Sequence, residues 1–509
     1  MSATCCHQVA INHLKGIVID AVQRAQSGHI GGALSAMDVV YYLFTACLRY
    51  DPDNPDWLLR DKFILSAGHA SMLVYSMLYA IGYLKRQDLQ AFRQLKSRTP
   101  GHPELETTGV ECTTGQLGQG ASMAVGFAIA RLHHRHSISP MFDQQIVALL
   151  GDGCMQEDIT LSSASYAGHL ALPNLTWIYD RNSKQISGDT SMVESNDWEK
   201  LYQAYGWQVI SIDGHDHRQI NAALGKIHAP RTQPLLIISN TTLGNGMFSA
   251  AGNHIYHGMP LPTEEAIKTK QQLNLPSDEQ FYFPDSVRQT FQRNFAAMRT
   301  QVQGKKQALA SLRTSSRFKF HYHADVNAAP TPRFSWGRGA TRDALGRLLA
   351  HYAEHLPLIG GSADLNDPAR VSAFISQVGE FNRHRYHGRG LQFGVREMPM
   401  SAICNGIAIH GGYLVFDATF LCFADYSRAA LRSGAIQKAQ VMHIFTHDSF
   451  FLGEDGATHQ PIEQLMSLRA MPNLDVARPA DGTETEALFH RALVRGLPTA
   501  FCLTRQQLP

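Results

Sequence analysis

An apolar run, Ile146-Val-Ala-Leu-Leu150, breaks at Gly151-Asp152-Gly153, and a second, Leu175-Thr-Trp-Ile-Tyr179, breaks at Asp180-Arg181-Asn182. Between Gly153 and Asn182 lie 28 residues, of which 155–170 have the character of one crossover helix. Short apolar runs linked in this way fold as parallel neighbouring strands. Asp152 and Asn182 then emerge side by side at the carboxyl edge of the sheet, where such folds bind ligands. A carboxylate, an amide oxygen and glycines that admit a close backbone suit a hard divalent cation holding a diphosphate. Taken alone, the same residues also read as ordinary turn chemistry.

The rest of the chain narrows the choice. A length of 509 residues exceeds one core and implies about two to four domains. Apolar content of 44% with 17% charged residues describes a globular protein. A net charge of +2, with both signs interspersed, makes no case for nucleic acid or an anionic membrane as partner. The N-terminus lacks the apolar core of a signal peptide, and no run of apolar residues is long enough to span a bilayer. Eight cysteines without a CxxC pair fit reduced thiols in a cytoplasm, and the adjacent Cys5 and Cys6 are not expected to bond each other. His133, His134 and His136, beside Arg135, read as a solvated helix end.

Residues 1–262 alternate apolar strand-like runs (145–150, 175–179, 208–212 and 235–239) with amphipathic stretches. Residues 263–333 are polar, Gln- and Lys-rich and helical in pattern, and read as a linker. Alternation resumes over 334–509, with strand candidates at 357–360, 391–395, 441–446, 474–477 and 499–504. The expected architecture is therefore α/β, two tandem domains with mostly parallel doubly wound sheets joined by a helical linker.

Ordered motifs run through both domains. They are Ser27-Gly-His29, Leu65-Ser-Ala-Gly-His69, Thr99-Pro-Gly-His-Pro103, Thr113-Thr-Gly-Gln-Leu-Gly-Gln-Gly120, Gly151-Asp-Gly-Cys-Met155, Gly360-Gly-Ser-Ala-Asp364, Gly394-Val-Arg-Glu397, Thr446-His-Asp-Ser449, Gly453-Glu-Asp-Gly-Ala-Thr-His-Gln-Pro461 and Leu503-Thr-Arg505. In this order they resemble the transketolase family. The resemblance implies two thiamine-diphosphate-binding domains: a diphosphate- and metal-binding domain over 1–262 and a pyrimidine-binding domain over 334–509. It also implies transfer of a two-carbon ketol unit from a ketose phosphate to an aldose phosphate through a thiamine-diphosphate carbanion, in the pentose phosphate pathway of the cytoplasm. The implied partners are sugar phosphates and a second copy of the chain, a homodimer with its active sites at the subunit interface.

The resemblance assigns residues one by one. Glu397 is the carboxylate on the aminopyrimidine nitrogen, and Phe420, Phe423 and Tyr426 belong to the ring's slot. Asp152, the Asn182 side chain and the Lys184 carbonyl are the ligands of Mg²⁺ or Ca²⁺. His69, Gly153, Glu157, Asp364 and the loop Gly115, Gln116, Leu117 line the cofactor pocket. His29, His102, His257 and His459 handle substrate hydroxyls and protons, a task suited to groups that titrate near neutrality. Asp455 reads a hydroxyl, while Arg338, His447 and Arg505 receive the substrate phosphate. Three departures stand out: Pro368 occupies the place of a phosphate-binding serine, with Arg370 nearby; Ser162 replaces a glutamate of the proton network; and the chain stops at Pro509, where the resemblance implies a further α/β domain. They leave two rivals open, a related ketol transferase with a different or unphosphorylated donor or acceptor, and a catalytically weak cofactor-binding paralogue.

Overall fold

The computed structural model describes residues 3–508, with side chains from Cys6 onward, so Cys5 lies outside the described side chains. Two compact units account for the chain: Met1–Ala121 with Gln144–Ala308, and Ser122–Asp143 with Leu309–Pro509.

The first unit is built on five parallel strands: β1 (Lys62–Leu65), β2 (Ile146–Gly151), β3 (Leu175–Arg181), β4 (Gln208–Asp213) and β5 (Leu235–Asn240). Their spatial order is β1-β2-β3-β5-β4. Strands β1, β2, β3 and β5 are almost wholly buried, which is why β2, β3 and β5 read as near-continuous apolar runs rather than alternating ones. Register pairs Gly151 with Asp180, so β2 and β3 end level and release Asp152 and Asn182 at the same edge. Helix Ala3–Ala25 presents Ala10, Ile11, Leu14, Ile17, Val18, Ala21 and Val22, all fully buried, at helical spacing.

The second unit holds six parallel strands: β6 (Leu358–Ser362), β7 (Gly390–Gln392), β8 (Leu414–Phe420), β9 (Val441–Thr446), β10 (Asp475–Ala477) and β11 (Thr499–Leu503). Their order is β10-β11-β9-β8-β6-β7. Gly360 and Gly361 are required by packing, since a Cβ would come within 2.0 Å of the Phe416 carbonyl oxygen and 1.7 Å of the Leu391 carbonyl oxygen respectively. One face of this sheet carries a core centred on Leu345, Leu348, Phe374, Phe416, Ile444 and Phe501.

Two strands, β1 and β8, are absent from the sequence reading. Residues 263–333 form helices Thr263–Gln272, Asp285–Arg313 and Ser316–Tyr322, and the division between the units falls inside the second of these. The expected solvated histidine end of helix Gln119–Ser137 is corrected: His133 and His134 are 2% and 0% exposed, and only Arg135 and His136 face solvent. His133 meets the Tyr413 hydroxyl at 2.8 Å, His134 meets that of Tyr322 at 3.1 Å, and the His134 ring stacks on Tyr413 at 4.7 Å. Aromatic partners brought from distant segments bury these rings, and a local window cannot show them. No helix among the described residues is long and apolar enough to cross a membrane.

Candidate active site

In the first unit, a cavity of about 390 Å³ opens at the carboxyl edge of β1, β2 and β3. Asp152, Gly153, Asn182 and Lys184 form one wall and His29, His69 and His257 another, with Gly115 and Leu117 between them. The close approach is built in: a Cβ on Gly68 would lie 2.8 Å from the Gly115 nitrogen, and one on Gly153 would lie 2.9 Å from Leu117 Cδ1.

Asp152 is buried, and its Oδ1 accepts from the Tyr179 hydroxyl at 2.7 Å. Its Oδ2 accepts from the main-chain amides of Asn182 and Ser183 at 3.3 and 3.1 Å. Behind it, buried Asp180 accepts from Ser35 (2.6 Å), Asn182 Nδ2 (2.9 Å) and Thr241 (2.6 Å). Burial, with a further contribution from the Asp180 charge and opposed by the Tyr179 hydroxyl, pushes the Asp152 carboxyl up to about 6. No lysine or arginine among the described residues forms an ion pair with either carboxylate. Two buried carboxylates without a cation, beside an amide side chain, form an oxygen-rich donor set that fits a hard divalent ion.

The histidines form one cluster. Ring centroids of His29 and His69 lie 5.1 Å apart, those of His69 and His257 5.0 Å, and those of His29 and His257 5.9 Å. Exposed His102 stands 6.2 Å from His29. Burial, reinforced by the neighbouring imidazoles, holds His29 down to about 4 and His69 to about 3. Burial also lowers His257, and partial desolvation together with the Arg93 charge lowers the more exposed His102. These rings are therefore neutral near pH 7 and able to accept protons or hydrogen bonds. His257 Nδ1 is buried without a partner, an unused polar atom on the cavity wall. Gln116 and Glu157 are exposed and do not line the cavity.

The second unit assembles the other set. Glu397 opens helix Glu397–His410, half-buried, and burial raises its carboxyl above the usual range. Phe420 ends β8, and Phe423 lies on the turn that follows, their rings stacked at 5.9 Å. His447 sits 3.7 Å from Phe420, and His459 sits 5.3 Å from Phe423. Tyr426 is exposed at 6.1 Å from Phe423. Asp364 is exposed with φ 63°, and Asp455 is exposed at the end of the turn Phe450–Asp455.

Arg338 and Arg342 differ in placement. Arg338 is exposed on the approach to helix Thr341–Tyr352. Arg342, within that helix, lies with Nη1 3.4 Å from His447 Nε2 and donates to the Pro368 carbonyl at 3.1 Å. Reciprocal bonds between Thr341 and Thr504, at 3.0 and 2.9 Å, pin the helix start to the end of β11 and bring the following residues, Arg342 and Arg505, into one neighbourhood. Arg505 pairs with Glu454, and Arg370 donates to Asp343 at 2.6 Å. Burial and the charges of Arg342 and Arg505 hold His447 down to about 3. Sequence reasoning passed over Arg342, Asp180 and Arg93, whose Nη2 stands 3.3 Å from His29 Nδ1. The available signal for Arg342 was its place in the first turn of the helix that opens the second domain, beside Arg338.

Comparison with known proteins decides the family. The model for the transketolase thiamine diphosphate binding domain matches residues 6–321, and the model for the transketolase pyrimidine binding domain matches 338–509. The chain belongs to the transketolase family. It is 40% identical over 520 residues to the transketolase of Halalkalibacterium halodurans, covering 99% of this chain and 78% of that protein. The structure of transketolase from Leishmania mexicana superposes with a TM-score of 0.94 at 36% identity, covering 99% of this chain and 77% of that one. Transketolase from Pichia stipitis in complex with sedoheptulose 7-phosphate does so at 0.93 and 35% identity, covering 99% and 78%. The chain is thus a thiamine-diphosphate-dependent transferase that moves a two-carbon ketol unit between sugars.

Proposed function

We propose that the donor and acceptor are sugar phosphates, and that Mg²⁺ or Ca²⁺ fixes the cofactor's diphosphate through Asp152, the Asn182 side chain and the Lys184 carbonyl. The observation that carries this reading is the pair of buried, cation-free carboxylates in a cavity walled by neutral histidines. Bound there, thiamine diphosphate supplies the nucleophilic carbon and the electron sink for breaking and remaking a carbon–carbon bond. Glu397 holds a proton at the aminopyrimidine nitrogen, and its raised pKa suits a shared proton. Phe420 and Phe423 give that ring a dry, flat slot. Neutral His29, His69 and His257 accept hydrogen bonds from sugar hydroxyls, and His257 Nδ1 has no competing partner. Arg342, Arg505 and His447 receive the phosphate, for which planar guanidinium donors are the natural match.

Residues within 1–262 supply the diphosphate side of the site and residues within 334–509 the ring side. In the proposed cytoplasmic homodimer, the first unit of one protomer meets Glu397 of the partner subunit. Relatives solved with sedoheptulose 7-phosphate, fructose 6-phosphate and xylulose 5-phosphate support phosphorylated ketoses as donors. The test is a two-substrate assay with xylulose 5-phosphate and ribose 5-phosphate in the presence of cofactor and Mg²⁺. Glyceraldehyde 3-phosphate and sedoheptulose 7-phosphate should form, and should vanish with Glu397→Ala. Cofactor bound without product would overturn the substrate assignment.

A further inference from the structure

The second unit segregates its charge. Segments 122–142, 309–324 and 381–396 contain no aspartate or glutamate, yet all three are rich in arginine and histidine. In a chain carrying only +2 overall, that is a marked local excess. The three segments meet around a surface cavity of about 470 Å³ lined by His133, His321, His387, Arg317, Arg389 and the hydroxyls of Ser137 and Ser316, with Phe320 at one side. No acidic side chain lines it among the described residues.

The basic groups are held in distinct ways. Arg389 donates Nη1 to the carbonyls of Leu356 and Leu358 at 3.0 Å each and Nη2 to that of Ala353 at 2.7 Å, while its guanidinium lies 5.5 Å from the Phe320 ring centroid. No carboxylate among the described residues pairs with it, so it contributes a fixed positive charge. Burial and this arginine together hold His321 down to about 4, although its Nδ1 faces the Gly412 carbonyl at 3.2 Å. His133 is held by the Tyr413 hydroxyl, and its Nε2 faces Ser137 Oγ at 3.3 Å. Arg317 and His387 are exposed at the rim; His387 Nε2 accepts from Arg385 Nε at 3.1 Å, which leaves its Nδ1–H as the donor. A fixed, half-buried cation, rim donors and hydroxyls without an opposing acid form an environment that favours a compact anion.

We propose that this cavity is a second anion site, for phosphate or a phosphomonoester, distinct from the residues that receive the substrate. Free phosphate and the phosphate of a small metabolite share this chemistry. A long polyanion is disfavoured, because two of the cavity's histidines are buried and, of its basic groups, only Arg317 and His387 stand exposed at the rim.

Calorimetric titration of the cofactor- and Mg²⁺-loaded enzyme at constant ionic strength tests this, with inorganic phosphate and glycerol 3-phosphate as probes. The enzyme is compared with R317A/H387A, whose residues take no part in turnover, and with R342A. The expected result is a saturable component that weakens about tenfold or more in R317A/H387A, survives in R342A and leaves turnover of R317A/H387A unchanged. Tighter binding of glycerol 3-phosphate supports a phosphorylated metabolite, and equal or weaker binding supports phosphate itself. An isotherm identical in the enzyme and R317A/H387A overturns the proposal, as does a component lost only in R342A. So does saturation by an oligonucleotide with no phosphate component. Because the readout is binding with turnover followed separately, failure here is distinguishable from failure of the substrate assignment.

Discussion

Arg342 Nη1 stands 3.4 Å from His447 Nε2, and the His447 ring packs against Phe420 at a centroid distance of 3.7 Å. One contact chain therefore links the proposed phosphate end to the aromatic slot. Arg342→Ala should raise KM for phosphorylated donors by roughly 10- to 100-fold with a smaller change in kcat, since a charge-assisted bond to a dianion is worth about 1.5–3 kcal/mol. Arg338→Ala, at an exposed position, should change either constant less than about threefold. Steady-state kinetics with phosphorylated and unphosphorylated ketoses separates the two, and equal effects would remove Arg342 from the phosphate site.

Asp152 makes a prediction of opposite sign in two states. Its buried carboxylate has hydrogen-bond donors but pairs with no lysine or arginine among the described residues. Asp152→Asn keeps an acceptor for Tyr179 and removes the charge. Without metal it should leave stability unchanged or increase it by about 1–3 kcal/mol, because an uncompensated buried charge is lost. With Mg²⁺, cofactor affinity should fall by about tenfold or more. Chemical denaturation of the apoenzyme and calorimetric titration of the cofactor read the two effects, and a variant that binds cofactor as tightly as the parent would remove Asp152 from the metal site.

Glu397→Gln preserves shape and hydrogen bonding but cannot carry the proton. The kcat should drop by roughly 10²-fold or more, while cofactor affinity changes little. Turnover measured at saturating cofactor, with occupancy checked by calorimetry, gives the answer. Retained turnover would sink the assigned role.

What could be read from the chain follows from how local each signal is. Asp152 and Asn182 were legible as neighbours because strand, crossover and strand fix their register within about forty residues, and Gly151 does pair with Asp180. Strand β8 was obscured because Asp417 interrupts its apolar run. In the fold that carboxylate is fully buried and bonded to His443 Nδ1 at 2.9 Å on the adjacent strand, a partner 26 residues away. Strand β1 is only four residues long, too short for a periodicity to show. Arg342 was missed for a similar reason: its place depends on Thr341 clasping Thr504, 163 residues apart.

The buried histidines give the pH prediction. His321 is 7% exposed, and its pKa is held near 4, against an ordinary 6.5 in the unfolded chain. The unfolded state therefore takes up a proton at this position before the folded state does. Stability from this group is fully present above about pH 6.5 and is lost as the pH falls towards 4, by roughly 3 kcal/mol across that window. His133 and His134, also lowered by burial, change stability in the same direction. His321→Phe should flatten the fall in unfolding free energy between pH 6.5 and 4 relative to the parent, even if the variant is less stable at pH 8 through loss of its bond to the Gly412 carbonyl. Urea unfolding across that range measures the slope directly, and parallel slopes in the two proteins would show that His321 does not carry the acid sensitivity.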